Sequence, residues 1–424
     1  MPRWVGLQNT NVCIVSGSQF RDAIEVPEAL DGVSTEELMA HWQVSPSGDF
    51  TSKHARKRAC ELKIAFVGNW SQQCGLSTYN EKLFPEIAKH VGDFRLFIEE
   101  NDHPTGDNTQ FGDGYIAEDK IVTCWRRNES TKVLAEKIKE YNPDIVLIGH
   151  EWGLWGARPW LSLMCQLQKY RVITIAHSIF HHPDKVICEA AMNEIVVHLD
   201  GAKDVLKNDK KVNAKVCVIP HGCDKRSDKP KPWNFYRSEH TFMQSGFLFA
   251  YKGYDNSIRA VAILKEKYPD VFFTGLLSES PHATIEHASL YNQLASLVEE
   301  LGVQDNVSLI RGFQSKEVVD IYLGVNKAAV FPYISNGANE VYGASGQARG
   351  AMARSVPVIT SSVPHFSDLP TIKANSPEEM AIELDKLFSS NNNVEWQINR
   401  QNKYVEENSW EITAQRYVDM FIGS

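Results

Sequence analysis

The sequence predicts an α/β fold made of two consecutive doubly wound, Rossmann-like domains that face a central cleft. Three observations lead to this prediction. The chain has 424 residues, more than one hydrophobic core of about 100 to 150 residues accommodates. Short apolar strands alternate with amphipathic helices twice along the chain, as in parallel sheets covered by helices. Residues 224–244, rich in proline and charge, separate the two series and form the predicted linker.

The first series predicts a Rossmann-like domain over residues 62–223. Its expected helices include 77–90 and 131–141, and its strands are expected at 63–67, 94–97, 145–148, 172–176, 195–198 and 216–219. Residues 1–61 precede it as an N-terminal extension of unknown role. Within this extension, Ser34-Thr35-Glu36-Glu37 has the capping-box pattern that opens a short helix.

The second series predicts another Rossmann-like domain over residues 245–400. Its strands are expected at 246–249, 271–276, 307–312, 328–332 and 357–360, and its helices at 256–267, 289–301, 315–326 and 345–353. Residues 401–424 are helical in pattern and are expected to return toward the first domain.

Composition and charge exclude several classes of protein. With 43% apolar and 23% charged residues, the chain is an ordinary globular protein. Its longest apolar runs fall far short of the roughly 18 residues that a membrane span needs, and its first twenty residues lack a secretory signal. We therefore predict a cytoplasmic protein without a transmembrane segment. The net charge of −9 disfavours nucleic acid as a partner, although cationic clusters around Arg56 and Lys229 leave DNA open.

A metal centre is not expected. The eight cysteines include no C-x-x-C pair. His177 is followed by His181 and His182, but Asp184 and Cys188 complete no recognised ligand spacing with them. We therefore predict neither a metal nor another cofactor.

Candidate binding residues follow the strands of the first domain, because open parallel sheets bind ligands at the carboxyl ends of their strands. A glycine loop, Gly68 to Gly75, leads into a helix whose free N–H groups suit anions or sugar hydroxyls. The next motif, GHEWGLWG from Gly149, brings His150, Glu151 and Trp152 to a strand end. Aromatic rings beside polar groups suit a carbohydrate, which has an apolar face and many hydroxyls.

The second domain offers a candidate phosphate site. Lys252 stands beside Gly253 at a strand end, where a lysine and a helix N-terminus together attract phosphate. The segment YGASGQ from Tyr342 precedes another helix, which Ser345 can cap while the first N–H groups face an anion.

Taken together, these motifs resemble the retaining glycosyltransferases of family four, which have the GT-B fold. The supporting segments run in family order from 63 to 421: KIAFVGNWSQQCGLSTYNEKL, DIVLIGHEWGLWG, ITIAHSIF, VIPHGCD, GFLFAYKGYDNSIRAV, VSLIRGFQSKEVVDIYLGVNKAAVFPY, AMARSVPVIT and ENSWEITAQRYVDMF. The resemblance implies sugar transfer from a UDP- or GDP-linked sugar, with the donor mainly on the second domain and the acceptor on the first.

The resemblance also implies roles for individual residues. It places the catalytic histidine at His177, near the transferred sugar, and the lysine that neutralises the donor phosphates at Lys252. It assigns further donor contacts to Gly75 and to Gly343, Ser345, Gly346 and Gln347. His150, Glu151 and Trp152 then fall on the acceptor side. The departing phosphate is expected to help deprotonate the acceptor, so that the protein contributes orientation and charge.

Two departures from the family pattern concern charge at the donor. Phe247 stands where the family usually has an arginine, five residues before Lys252. The two usual glutamates fall at Tyr342 and Gly350, and Glu340 is the nearest replacement for the first. An inactive nucleotide-sugar-binding sensor or assembly protein is therefore the alternative to an enzyme. Within the enzyme hypothesis, a small molecule or a glycan is the favoured acceptor, and a hydroxymethylated DNA base is another.

Overall fold

The computed structural model describes residues 58–100, 116–180, 189, 191–209, 212–226, 239–279, 284–335, 337 and 340–423, and the backbone of 3–8, 11–16, 24–25, 110–111 and 114–115. The chain divides into two compact units. The first comprises Met1–Gln72, Leu76–Ile219 and Ala414–Ser424, and the second comprises Gln73–Gly75 and Pro220–Thr413. The short helix predicted after Ser34 lies outside the described residues, as do His181, His182 and the cationic residues Arg56 and Lys229.

The first unit is built on a parallel sheet of seven strands. In chain order these are β4 (Lys63–Gly68), β5 (Asp93–Glu99), β8 (Ile121–Trp125), β9 (Ile145–His150), β10 (Arg171–Ala176), β11 (Glu194–Val197) and β12 (Lys215–Val218). Their order across the sheet is β12-β11-β10-β9-β4-β5-β8. Every residue of β9 and β10 is buried, because helices cover both faces of the sheet.

The helices of the first unit are α1 (Gly75–Ala88), α2 (Lys132–Tyr141), α3 (Trp152–Trp155), α4 (Ala157–Gln166) and α5 (Asp200–Asn208).

Shorter strands form two small antiparallel sheets: β1 (Arg3–Gln8), β2 (Asn11–Ser16) and β3 (Ile24–Glu25) pair in one, and β6 (Gln110–Phe111) and β7 (Gly114–Tyr115) in the other. The six strands predicted for this unit are confirmed. The edge strand β8 was not predicted, because most of its residues are only partly buried.

The second unit contains a parallel sheet of six strands: β13 (Thr241–Phe247), β14 (Phe272–Ser278), β15 (Val307–Arg311), β16 (Ala328–Phe331), β17 (Val358–Thr360) and β18 (Ile372–Lys373). The order across the sheet is β15-β14-β13-β16-β17-β18. The helices are α6 (Tyr254–Lys265), α7 (Thr284–Glu300), α8 (Lys316–Val325), α9 (Gly346–Ala353), α10 (Pro377–Ser389), α11 (Asn391–Glu407) and α12 (Trp410–Ile422), of which 414–422 belong to the first unit.

The strand predicted at 246–249 lies elsewhere: β13 runs over Thr241–Phe247 and ends where the prediction began. The prediction failed because Gln244 and Ser245 interrupt the apolar run. Both are buried, and Gln244 is satisfied internally. Its side-chain nitrogen donates to the Lys252 carbonyl over 2.8 Å, and its side-chain oxygen accepts from Ser257 over 2.7 Å, which lowers the cost of burying it.

The carboxyl end of α12 is fastened to the first unit. Arg171, a buried residue of β10, donates to the carbonyl of Phe421 over 2.6 Å and to that of Met420 over 3.1 Å. These carbonyls lie in the last turn, where a helix lacks internal partners. The hydroxyls of Tyr417 and Tyr79 lie 3.1 Å apart in the interior. The last turns of the chain therefore belong to the core of the first unit.

No helix in the described part of the chain combines the length and apolar character needed to cross a membrane.

Candidate functional site

Polar side chains of the first unit gather at the carboxyl ends of four adjacent strands. Asn69 follows β4, His150 ends β9, His177 follows β10 and His198 follows β11. The register places Ala176 opposite His150, and the His177 amide donates to the His150 carbonyl over 3.1 Å. We call Asn69, His150, His177 and His198 the polar cluster.

The three residues predicted on the acceptor side lie together beside this cluster. The His150 ring is buried edge-on against Trp152 and Trp160, with centroids 4.7 and 4.4 Å apart. One Glu151 oxygen accepts from the Trp152 amide over 2.9 Å and the other from the Ser178 hydroxyl over 2.6 Å. The Trp152 indole donates to the Ser178 carbonyl over 3.2 Å. Glu151 and Trp152 therefore fix each other and the segment after β10.

His177 is held as a neutral imidazole. Burial lowers its pKa well below the usual value, and His198 and His150 lower it further. Its Nδ1 lies 3.4 Å from His198 Nε2, and its ring meets that of Tyr79 edge-on at 4.7 Å. Its Nε2 is shielded from solvent and has no hydrogen-bond partner in the described structure. A buried acceptor or donor without a partner is costly, and a bound polar ligand removes that cost.

Asn69 adds a second unpaired group. Its side chain is 1% exposed, and neither its amide nitrogen nor its oxygen has a partner in the described residues. Asn69 was not predicted from the sequence, because it belongs to no recognised motif apart from the glycine loop that begins at Gly68.

The two glycines that bound this loop differ in their surroundings. Gly68 is required because a side chain there would meet the Asn80 amide at 2.5 Å, whereas the space at Gly75 is open. The positive backbone angle falls on Ser71, with φ of 54°. Its amide donates to Glu81 over 2.8 Å, which holds the turn.

In the second unit, Lys252 lies in an aromatic cage. Its ammonium donates to the Tyr333 hydroxyl over 2.6 Å and lies 3.9 Å from the centre of that ring and 4.9 Å from that of Tyr251. Burial lowers the pKa of Lys252. Burial and this cation also lower the pKa of nearby His365, to about 4. No carboxylate forms an ion pair with Lys252 within the described residues, so the site has a positive charge that an anion can match.

Gly253 fixes the position of Lys252 at the start of α6. Its φ is +67°, and a side chain there would lie 2.1 Å from the Pro332 carbonyl. Only glycine fits a left-handed position this close to another backbone. The lysine is therefore presented at the carboxyl edge of the central strand β13.

The loop at 343–347, which we call the donor loop, adjoins this lysine. Ser345 caps α9 by accepting from the Ala348 amide over 3.4 Å, as predicted, and its oxygen lies 3.3 Å from the Tyr333 hydroxyl. Tyr333 thus connects Lys252 to the N-terminus of α9. Gly346 and Gln347, the first residues of that helix, are exposed, and N–H groups in the first turn lack partners within the helix.

The other predicted residues of the second unit have separate positions. Gly343 is buried, and the Gln347 side-chain oxygen accepts from Ser245 over 2.8 Å. Glu340 accepts from the Ser335 hydroxyl over 3.3 Å and forms no hydrogen bond or ion pair with Lys252. The space in front of Gly350 is open, because a side-chain carbon added there would meet no described atom within 4 Å.

A buried arginine that the sequence did not reveal supports the donor loop. Arg349 is 1% exposed and donates to the Ser345 carbonyl over 3.0 Å, to Asp368 over 2.5 Å and to Tyr404 over 3.2 Å. Burial acts to lower the pKa of Arg349, but Asp368 and Tyr404 outweigh it and raise the pKa. Arg349 therefore ties the loop to α11.

Gly222 is required by packing rather than by a positive φ. A side chain at Gly222 would lie 2.3 Å from the Trp410 ring, and its φ is not positive. No group of three or more histidines, cysteines or acidic residues in the described part of the chain could hold a metal ion.

The arrangement of both sheets agrees with solved structures. A glycosyltransferase from Rickettsia africae superposes with a TM-score of 0.63 at 15% identity, covering 85% of this chain and 98% of the other. Anabaena Alr3699/HepE in complex with UDP gives 0.64 at 11%, covering 86% and 100%. A structure described as trehalose-6-phosphate from E. coli bound with UDP-2-fluoro glucose gives 0.64 at 12%, covering 85% and 99%.

The chain has the GT-B fold. Within it, residues 225–403 match the family model for glycosyl transferases group 1, and the matched segment lies inside the second unit. No curated protein sequence matches the chain. The GT-B assignment confirms the predicted fold class, while the match supports sugar-transferase chemistry for the unit that carries Lys252 and the donor loop.

Proposed function

We propose that the protein is a retaining glycosyltransferase that moves a hexose from a nucleotide sugar to an acceptor. The donor binds the second unit, with UDP favoured over GDP because two of the similar structures contain UDP or a UDP-sugar. A small molecule or a glycan is the acceptor, held near His150, Glu151 and Trp152. The cytoplasmic location stays a prediction of the sequence.

The observation that carries this proposal is the half-buried Lys252, which lies beside the N-terminus of α9 and has no carboxylate partner among the described residues. Tyr333 bonds to Lys252 on one side and lies 3.3 Å from Ser345, the cap of α9, on the other. A cation and exposed helix amides close together form a site for a doubly charged anion. A diphosphate supplies that charge, and it would also neutralise the half-buried Lys252 ammonium.

The proposed roles divide between binding and orientation. Lys252 and the amides of Gly346 and Gln347 stabilise charge on the departing diphosphate. His177 contacts a sugar hydroxyl. We assign no protein nucleophile, because both oxygens of Glu151 are already held by hydrogen bonds. The anomeric configuration is retained if the departing phosphate takes the proton of the acceptor on the same face of the sugar from which it leaves.

The test is to incubate the protein with UDP- and GDP-linked hexoses and measure release of the nucleotide. We expect slow hydrolysis of one donor without an acceptor, and inversion or retention then follows from NMR of the released sugar. Donor binding with no turnover in the presence of broad acceptor mixtures would favour the alternative, a catalytically inactive sensor or assembly protein. Phe247 and Gly350 favour that alternative, because each lacks the charge found in similar enzymes.

DNA is the less favoured acceptor. Lys225 and Arg226 are described, but Lys225 already pairs with Glu411 over 2.6 Å. Retention of the protein on DNA at low salt, with release at high salt, would support it, because phosphate contacts depend steeply on salt. Absence of retention at low salt would exclude it.

Substitution of Gly346 is expected to weaken donor binding in proportion to side-chain size. A carbon added at Gly346 would lie 3.6 Å from His221 Nε2, which is ordinary contact, so Gly346→Ala should bind almost normally. The branched side chain of Gly346→Val crowds both His221 and the helix amides, and should cost about 1 to 3 kcal/mol of binding. Calorimetry measures the affinity of both variants for the nucleoside diphosphate. Equal affinity of Gly346→Val and wild type would remove the donor loop from the site.

Gly350→Glu is expected to improve donor binding. The position is open, and the resemblance places it at the donor ribose. A carboxylate accepting from the ribose hydroxyls contributes about 1.5 kcal/mol or more, roughly tenfold in affinity. Gly350→Gln is the matched control and should gain less donor affinity. A larger gain for the 2′-deoxynucleotide than for the ribonucleotide would contradict this assignment.

A further inference from the structure

A line of hydrogen-bonding groups leads from the end of the first sheet to His177. His198 Nδ1 lies 3.0 Å from the carbonyl oxygen of Ile219, just beyond β12. His198 Nε2 lies 3.4 Å from His177 Nδ1. The line ends at His177 Nε2, which is buried and has no partner in the described residues.

The chemistry of these groups fixes where the protons lie. A carbonyl oxygen only accepts, so His198 Nδ1 must carry a proton and donate it to Ile219. In a neutral imidazole the other nitrogen then bears a lone pair, so His198 Nε2 accepts. The remaining donor for that bond is His177 Nδ1. His177 Nε2 is consequently left as a lone pair without a proton.

We propose that His198 is a positioning residue that holds His177 in the Nδ1–H tautomer, so that His177 Nε2 accepts a hydrogen bond from a hydroxyl of the bound sugar. The inference rests on the proposed function for the identity of the ligand, but not for the tautomer. It also predicts selectivity: His177 Nε2 binds a hydroxyl or another hydrogen-bond donor, and an anionic oxygen is disfavoured at that atom.

His198 is buried beside two rings. Its side chain is 3% exposed, and the rings of Tyr79 and His177 lie 5.1 and 5.2 Å away. A charge on His198 would require a proton on Nε2 and would place that proton against His177, which burial already keeps neutral.

Nitrogen-15 NMR of selectively labelled histidine tests the tautomer directly in the full-length, ligand-free protein. The His177 and His198 signals are assigned from their absence in His177→Gln and His198→Gln. We expect both residues to carry one proton, on Nδ1, at neutral pH. A proton on His177 Nε2, or two protons on His198, would overturn the proposal whether or not the protein is active.

Three variants connect the tautomer to activity. His198→Leu removes the acceptor, and we expect His177 to gain an Nε2–H population and kcat/KM to fall at least tenfold. His198→Gln retains an oxygen that can accept from His177, and should keep the Nδ1–H form and lose less than threefold. His240→Gln, at a partly exposed histidine of the second unit that bonds to Asp270, is the control and should change neither.

The outcomes separate the two proposals. Equal losses for the Leu and Gln variants with an unchanged His177 spectrum would refute positioning by His198. Where the wild-type spectrum shows the expected tautomer but no nucleotide sugar is turned over, positioning by His198 stands and the proposed function fails. Circular dichroism of each variant confirms the fold, and the wild-type spectrum decides the tautomer even if His198→Leu does not fold.

Discussion

Lys252→Ala is expected to reduce donor affinity and turnover together, by about 2 to 4 kcal/mol in kcat/KM, or roughly 30-fold to 1000-fold. The ammonium would contact the diphosphate in both the ground state and the transition state, where the leaving charge grows. Calorimetry with the nucleoside diphosphate and steady-state kinetics with the nucleotide sugar measure the two parts of the effect.

Loss of the Lys252 ammonium should affect stability in the opposite direction. Without a ligand, this half-buried ammonium has no carboxylate partner among the described residues, and burial lowers its pKa. The unfolded chain binds this proton more strongly than the folded one, so the charge costs stability at neutral pH, and that cost falls as pH rises through the lowered pKa. Lys252→Met keeps the apolar stem, so the free protein should unfold at an equal or higher temperature.

Lys327→Ala is the matched control for Lys252. Lys327 is partly exposed, precedes β16 at the amino end of the sheet and pairs with the exposed Glu239. Its loss should change neither affinity nor turnover, because exposed ion pairs contribute little. Lys252→Ala with wild-type kinetics would remove Lys252 from the site, and Lys252→Met with a lower melting temperature would show that the ammonium stabilises the free fold.

Arg349→Met is expected to destabilise the protein by about 3 kcal/mol, near the low end for breaking a buried ion pair, since Asp368 retains some exposure. The substitution leaves the Asp368 carboxylate without its cation and the Ser345 carbonyl without its donor. One Asp368 oxygen already has no partner in the described structure. The unfolding temperature should fall by roughly 2 to 4 °C for each kcal/mol of stability that is lost.

A double-mutant cycle with Asp368→Asn isolates the ion pair from the other contacts of Arg349, and a coupling energy near zero would contradict this account. Arg400→Met provides the comparison. That guanidinium lies 4.6 Å from the exposed Trp396 ring on α11, and its loss should cost within about 0.5 kcal/mol. Donor binding by folded Arg349→Met should also weaken, because Arg349 holds the donor loop through Ser345.

The sequence predicted the buried strands well because their apolar residues leave a continuous pattern. β4 and β9 were located to within two residues at each end. The edge strands β8 and β18 were missed, since a strand with one open side has a weaker apolar signal. The start of β13 was misplaced because Gln244 is paired inside the fold, and such pairing is invisible in a linear pattern.

Candidate site residues that directly follow strands could be predicted from the sequence. Residues whose role depends on partners far away along the chain could not. Lys252 was proposed by the strand-end rule and His177 by the resemblance, and both site assignments stay predictions. The strand-end rule applied to β11 and β16 would also have singled out His198 and Tyr333. Arg349 gave no such signal. It lies inside α9, and its importance comes from Asp368 and Tyr404, 19 and 55 residues away.

The attachment of α12 has a consequence for biosynthesis. Tyr79 meets Tyr417 across 338 residues of chain, and Arg171 meets the Phe421 carbonyl across 250. During translation, residues 220–413 of the second unit leave the ribosome before the segment that completes the first core has been made. Until α12 has been made, Tyr79 therefore lacks the hydroxyl of Tyr417 as a partner. The ring that packs on His177 gains this contact only after α12 has been synthesised.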